Sequence, residues 1–289
     1  MPTDSLMTFF NLGATMKSGI AQELQFRHEP IGIVFTDDKP EAARQFQEGK
    51  WGCTMFMLAA ALKGETVVFD QNTCGCQGGG TGLGFGNQYT FFPGGQECFK
   101  YFLSTGNEQW EEGRAAGEKV KPFMRPDAYN HFMHGERYKK SPELVGKFIE
   151  NLPITTVPTE FVVLKPLKEI DEAKEDLRVV SFFGNMDQIS ALTVLANYGR
   201  ENNENVVFPF AAGCQSIGIY PYREVERPEP RAVLGLNDIS ARVYLKRILK
   251  DDVMSFAMPL SLFKEMESNL EESFIGGDTW EQLKSLGGK

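Results

Sequence analysis

The sequence predicts an α+β or α/β fold, a mixed sheet flanked by helices in a single compact domain, with possible intimate halves at 1–151 and 152–289. Short runs rich in β-branched residues recur between stretches whose apolar residues fall at helical spacing. The two kinds of segment alternate without strict order, which leaves both classes open. With 42% hydrophobic and 24% charged residues the chain can build a core, and at roughly 150 residues per domain its length allows one large domain or two close ones.

The elements follow in order. Leu6–Leu24 has helical spacing, and Pro30 then introduces the strand Ile31–Phe35, closed by Thr36-Asp37-Asp38. Pro40 is placed to start a short helix. Cys53–Leu62 is small and apolar at helical intervals and stops at Lys63-Gly64, a basic residue and a glycine where a helix end favours them. Thr66–Phe69 is the next strand. Cys74–Gly86 holds so many glycines that a loop is expected. Two helices follow, over Gly95–Thr105 and Glu108–Val120, then an irregular stretch, Pro122–Lys140. Ser141-Pro142-Glu143 has the cap and first-turn proline of a helix running to Asn151. In the second half Phe161–Leu164, Val179–Phe183, Val206–Phe210, Ile217–Tyr220 and Ala232–Leu236 are expected as strands. Met186–Tyr198, Ser240–Ile248 and Leu260–Leu270 are expected as helices.

Charge and hydropathy narrow the partners. Against 30 Lys and Arg stand 39 Asp and Glu, a net charge of −9. Such a surface repels phosphate backbones and lacks the basic clusters that hold anionic lipid, so nucleic acid and membrane partners are not expected. The longest apolar stretches, Met55–Leu62 and Val206–Cys214, fall short of the ~20 residues that span a bilayer. Met1–Glu23 lacks the basic start and apolar run of a signal peptide, so a cytoplasmic protein with reduced thiols is expected. Its partners would be a small molecule or a redox protein, and its oligomeric state leaves no pattern in the chain.

The chemistry concentrates in cysteines, the soft ligands and strong nucleophiles among side chains. Cys74-Gly75-Cys76 can turn two sulfurs inward around one glycine. Cys53 stands at an expected helix start, where the helix dipole favours a thiolate, and Cys214 lies in a second glycine-containing segment. Four thiolates suit an iron–sulfur cluster or tetrahedral zinc. The bland alternative is that these are buried small hydrophobes, since no CxxC pair is present and the spacing matches neither zinc ribbons nor ferredoxins. For Cys98, inside an aromatic helix, that core role is the expected one. Gly78, Gly79, Gly80 and Gly82 could cradle an anion, with Arg242 as its countercharge, although neither the dinucleotide fingerprint nor a P-loop occurs. His131 and His134, three apart in an aromatic segment, are expected to pack rather than ligate.

Glu29-Pro-Ile-Gly-Ile-Val-Phe35, the Gly52-Cys53 helix ending in Ala59-Ala-Ala-Leu-Lys-Gly64, the Cys74/Cys76 segment with Gly82–Phe85, and Ala211-Ala-Gly-Cys214 together resemble the uncharacterised ArCR family, domain of unknown function 169. The resemblance spans nearly the whole chain. It implies a single cytosolic domain of a family common in archaea and anaerobic bacteria, a setting that favours an oxygen-sensitive cluster. Three functions are therefore carried forward: a metal or iron–sulfur protein using Cys53, Cys74, Cys76 and Cys214 in a redox or sensing role; a metal-free protein or enzyme binding an anionic metabolite; and an enzyme with a nucleophilic cysteine.

Overall fold

A computed structural model describes residues 15–287. Their strands are β1 (Ile31–Thr36), β2 (Val67–Phe69), β3 (Phe161–Pro166), β4 (Asp176–Gly184), β5 (Val206–Val207), β6 (Ala232–Gly235) and β7 (Met254–Pro259), and they form one sheet in the order β2-β3-β1-β4-β7-β6-β5. Every neighbouring pair is antiparallel except β5 with β6. β1, from the first half of the chain, is hydrogen bonded between β3 and β4 from the second, so the sheet crosses the boundary between the two possible halves. A mixed sheet with helices on both faces is an α+β fold.

Alternation along the strands divides the core, because successive side chains point to opposite faces. Ile31, Ile33, Val162, Leu164 and Val179 face one layer, while Val34, Val163, Val180, Phe182 and Phe256 face the other. The first layer is closed by α2 (Thr54–Ala61), α3 (Gln77–Leu83), α9 (Gly213–Ile217) and α11 (Ile239–Leu245). The second is closed by α1 (Gly19–Glu23), α8 (Met186–Asn197), α12 (Leu260–Ser268) and α13 (Asp278–Gly287). A third cluster joins α4 (Gly95–Phe102), α7 (Pro142–Glu150) and α10 (Ile219–Val225), and beside α4 lie α5 (Glu111–Val120) and α6 (Pro126–His134).

Several elements differ from the expectations. Cys74–Gly86 is not a loop: Gln77–Leu83 is helical, capped by Gly84 in the left-handed region at φ +96°. Pro122–Lys140 contains α6, whose Pro126 occupies the first turn, where a missing N–H costs nothing. Ile217–Tyr220 is the junction of α9 and α10 rather than a strand, and the strand expected over Val206–Phe210 shrinks to Val206–Val207. Pro40 begins a turn, with the Ala43 N–H donating to the Pro40 carbonyl. Only Gly19–Glu23 of Leu6–Leu24 is helical here, and residues 6–14 lie outside the described residues. β7 is a strand that the chain's pattern did not announce.

Candidate functional site

Three thiols from distant segments stand at the starts of three helices on the first layer. Cys53 is the N-cap of α2 and Cys76 the N-cap of α3, where its Sγ accepts the Gly79 N–H at 3.2 Å. Cys214 is the second residue of α9, and its Sγ donates to the Gly78 carbonyl at 3.1 Å. The glycines of α3 make this approach possible. A Cβ on Gly79 would collide with Thr54 Oγ1, and one on Gly82 would lie 2.8 Å from both the Cys214 Sγ and the Gln215 nitrogen. Gly218 returns the favour, since a Cβ there would strike the Gly82 carbonyl. Gly79, Gly80 and Gly82 thus face protein atoms of this chain, and Gly78 alone of the four has open space at its Cβ position.

Cys74 belongs to the same neighbourhood but turns elsewhere. Its Sγ is directed at the carbonyls of Gln71 and Cys76, at 3.7 and 3.8 Å, and a Cβ on Gly80 would sit 2.7 Å from it. Cys98 is remote, buried in α4 with its sulfur packed where a Gly94 Cβ would be.

The electrostatics treat Cys53, Cys76 and Cys214 as a group. Burial pushes the Cys53 thiol well up, the Cys76 charge adds to it, and the Met55 backbone opposes both. Burial likewise lifts Cys214, reinforced by Cys76 and Cys53. Cys76 is raised by burial against the pull of the Gly79 and Thr54 backbones and the Thr54 hydroxyl. Cys74 rises to about 11, through burial and then Cys76. Burial disfavours a thiolate and like charges disfavour each other, so these are neutral thiols in the protein by itself. Among the described residues, no three His, Cys, Asp or Glu side chains are gathered closely enough to hold a single ion.

Residues that sequence reasoning missed surround the thiols. Asp238 caps α11 through the Ser240 N–H at 2.9 Å and receives the Gly213 N–H, at the start of α9, at 3.4 Å. Its carboxyl is raised by burial against those backbone donors, and its charge reaches all three thiols. Glu136 lies beside Ser240 Oγ at 3.4 Å, and Ser240 also bonds the Tyr138 hydroxyl at 2.8 Å. Burial, then the Asp238 charge, lifts Glu136 to about 7. Asp238 could have been found from the Asp-x-Ser cap before a helical stretch. Glu136 had no signal, since only the fold carries it there.

Other candidates are used elsewhere. Arg242 spends its guanidinium on the carbonyls of Leu236, Val253 and Asp251, at 3.3, 3.0 and 2.5 Å, so it clasps the turn before β7 rather than facing the glycines. His134 pairs with Glu108 at 3.0 Å on the surface, and exposed His131 stands 4.0 Å from Glu136. Among the described residues no helix is long and apolar enough to cross a membrane.

The model of the uncharacterised ArCR family matches residues 19–269, a span that includes all five cysteines. The chain belongs to the uncharacterised ArCR family. Neither the curated proteins nor the solved structures give a match. The ArCR span takes in both the thiol-bearing helix starts and Asp238 and Glu136, so the whole arrangement lies within the family's own segment.

Proposed function

We propose that this protein binds a metal or an iron–sulfur cluster through Cys53, Cys76 and Cys214, with Cys74 adjacent as a further ligand, and that the centre serves electron transfer or sensing in the cytoplasm. One observation carries the proposal: Cys76 and Cys214, more than a hundred residues apart, both bond the first turn of α3, the Cys76 Sγ accepting the Gly79 N–H and the Cys214 Sγ donating to the Gly78 carbonyl, and the Cys76 charge disfavours the thiolate at Cys53 and Cys214. A cation reverses that repulsion, because thiolates are the ligand form and metal binding releases their protons. The N–H donated by Gly79 to the Cys76 sulfur is the kind of contact that orients and tunes a ligated thiolate.

The other two readings have less to rest on. A nucleophilic cysteine requires a lowered pKa or an adjacent base, and here the thiols are raised, while His131 and His134 are engaged at the surface with Glu136 and Glu108. The anionic-metabolite reading relied on Arg242, whose donors are taken by main-chain carbonyls.

Anaerobic purification and reconstitution with iron and sulfide, or with zinc, tests the proposal by metal and sulfide analysis and visible absorption. The expected outcome is stoichiometric metal in the wild type and Cys98→Ala, and loss of at least most of it in Cys53→Ala, Cys76→Ala and Cys214→Ala. Cys74→Ala measured alongside decides whether the centre uses a fourth thiolate. A wild type that retains neither iron nor zinc, or a Cys98→Ala variant that loses as much as the others, overturns it.

A further inference from the structure

The chain carries a net charge of −9, and one cleft reverses that balance locally. It has a volume of about 330 Å³ and is lined by Lys139, Leu144, Lys147, Phe148 and Asn151, with no acidic residue among them. Leu144, Lys147, Phe148 and Asn151 recur at helical spacing along α7 and its C-cap, beside the face whose Val145 and Ile149 are buried in the core. Lys139 approaches from the segment before the helix. Its N–H and that of Tyr138 both donate to the Leu103 carbonyl, at 3.3 and 3.0 Å, which fixes the backbone there.

The lining has an apolar part and a cationic part. Leu144 is 43% exposed, and Phe148 is rooted against the third core cluster, so together they present an apolar wall that the core holds in place. The Lys139 ammonium stands 5.3 Å from the centroid of the Phe148 ring and 5.2 Å from that of Phe210, so two aromatic faces position it. Neither Lys139 nor Lys147 has a carboxylate within 4.0 Å among the described residues. Asn151 is spent locally, its Nδ2–H donating to the Lys147 carbonyl at 2.7 Å. Two unpaired cations beside an apolar wall complement a molecule with one carboxylate and an apolar body. The volume lies at the small end of the range of about 300–1,000 Å³ over which proteins hold small molecules, which matches a body of one ring or one branched chain.

We infer that this cleft binds a small carboxylic acid with an aromatic or branched apolar body, the carboxylate taken by Lys139 and Lys147 and the body lying on Phe148 and Leu144. The site uses neither the thiols, nor Arg242, nor the glycines of α3, so it stands whether or not the chain holds a metal. Lys139 is positioned in advance by its two rings, whereas Lys147 is exposed and brings its charge on a flexible stem.

The test titrates the purified protein with three probes by calorimetry: phenylacetate, phenylacetamide, which keeps the shape without the charge, and acetate, which keeps the charge without the ring. Phenylacetate is expected to bind saturably at one site, and the other two at least about tenfold more weakly. Lys147→Glu and Lys139→Gln should each weaken phenylacetate by at least about tenfold. Exposed Lys63→Glu, the same change of charge outside the cleft, should bind like the wild type. Leu144→Ala should weaken phenylacetate several-fold and leave acetate unchanged, a difference that a general loss of stability would not produce. If Lys139→Gln does not fold, Lys147→Glu, at an exposed position, carries the comparison. A wild type with no saturable binding of phenylacetate overturns the inference, and so does one that binds the amide or acetate as tightly. Equal affinity in Lys147→Glu and the wild type, or an equal loss in Lys63→Glu and Lys147→Glu, overturns it as well.

Discussion

At Glu136, burial and then the Asp238 charge favour the protonated carboxyl, and the pKa rises from 4.5 to about 7. The folded protein therefore holds a proton there that the unfolded chain gives up between pH 4.5 and 7, and stability falls as pH rises through that window. At 1.36 kcal/mol per pH unit the full interval is an upper limit of about 3 kcal/mol. The side chain is 16% exposed, which leaves little solvent screening to discount. Glu136→Gln removes the titration and keeps the shape. It should be nearly neutral at pH 4.5 and stabilising by about 2 kcal/mol at pH 8, read from denaturant midpoints at the two pH values. An equal effect at both would show that desolvation does not govern this carboxyl.

At the scale of elements, α3 shows where local propensity loses to packing. Glycine is the poorest helix former after proline, at about 1 kcal/mol per residue relative to alanine, and on that ground Cys74–Gly86 looked like a loop. The backbone is helical because α2 and α9 approach it more closely than side chains would permit. The glycines should therefore respond oppositely. Gly78→Ala, with open space around its Cβ, should stabilise by up to about 1 kcal/mol. Gly82→Ala, pressed against Cys214 Sγ and the Gln215 nitrogen, should destabilise by about 1–3 kcal/mol and reduce metal retention. Equilibrium unfolding with metal analysis separates the two, and a Gly82→Ala protein as stable as Gly78→Ala would show that the close approach is not required. The same contest explains what else was legible. Ile31–Phe35 and Phe161–Leu164 declared themselves because β-branched and aromatic residues dominate both runs, and the strands extend one and two residues further, to Thr36 and Pro166. Met254–Pro259 has two methionines, a serine and a proline, and becomes a strand through pairing with β4 and β6. The cysteines were visible as residue types, whereas their grouping, and Glu136 beside them, depend on where helices begin in space.

For the whole molecule, the sheet order makes the two possible halves interdependent. β1 lies between β3 and β4, and removing either half would strip the other of a strand and expose both core layers. Glu224 fastens the far side: buried in α10, it accepts from Arg231 at 2.9 and 3.1 Å, just before β6, and pairs with Arg223 and Arg227. Burial raises its carboxyl pKa, but the Arg231 hydrogen bond and the three positive charges outweigh that and hold it below 4.5. Its contribution is thus present above pH 4.5 and lost as pH falls through the lower folded value. Glu224→Gln strands three arginines around a neutral amide. Because those arginines are partly exposed, the cost at pH 7 should be about 2–4 kcal/mol, below that of a fully buried broken pair, and it should shrink toward pH 3. Since β6 pairs with β7 and β7 with β4, the loss should be shared by the entire sheet rather than confined to α10. Denaturation of wild type and variant followed by both tryptophan fluorescence and far-ultraviolet circular dichroism should then give one coincident transition in each, shifted in the variant. A separate early transition in the variant would mean that the β6 edge unfolds alone, and that the continuous sheet does not bind the halves into one cooperative unit.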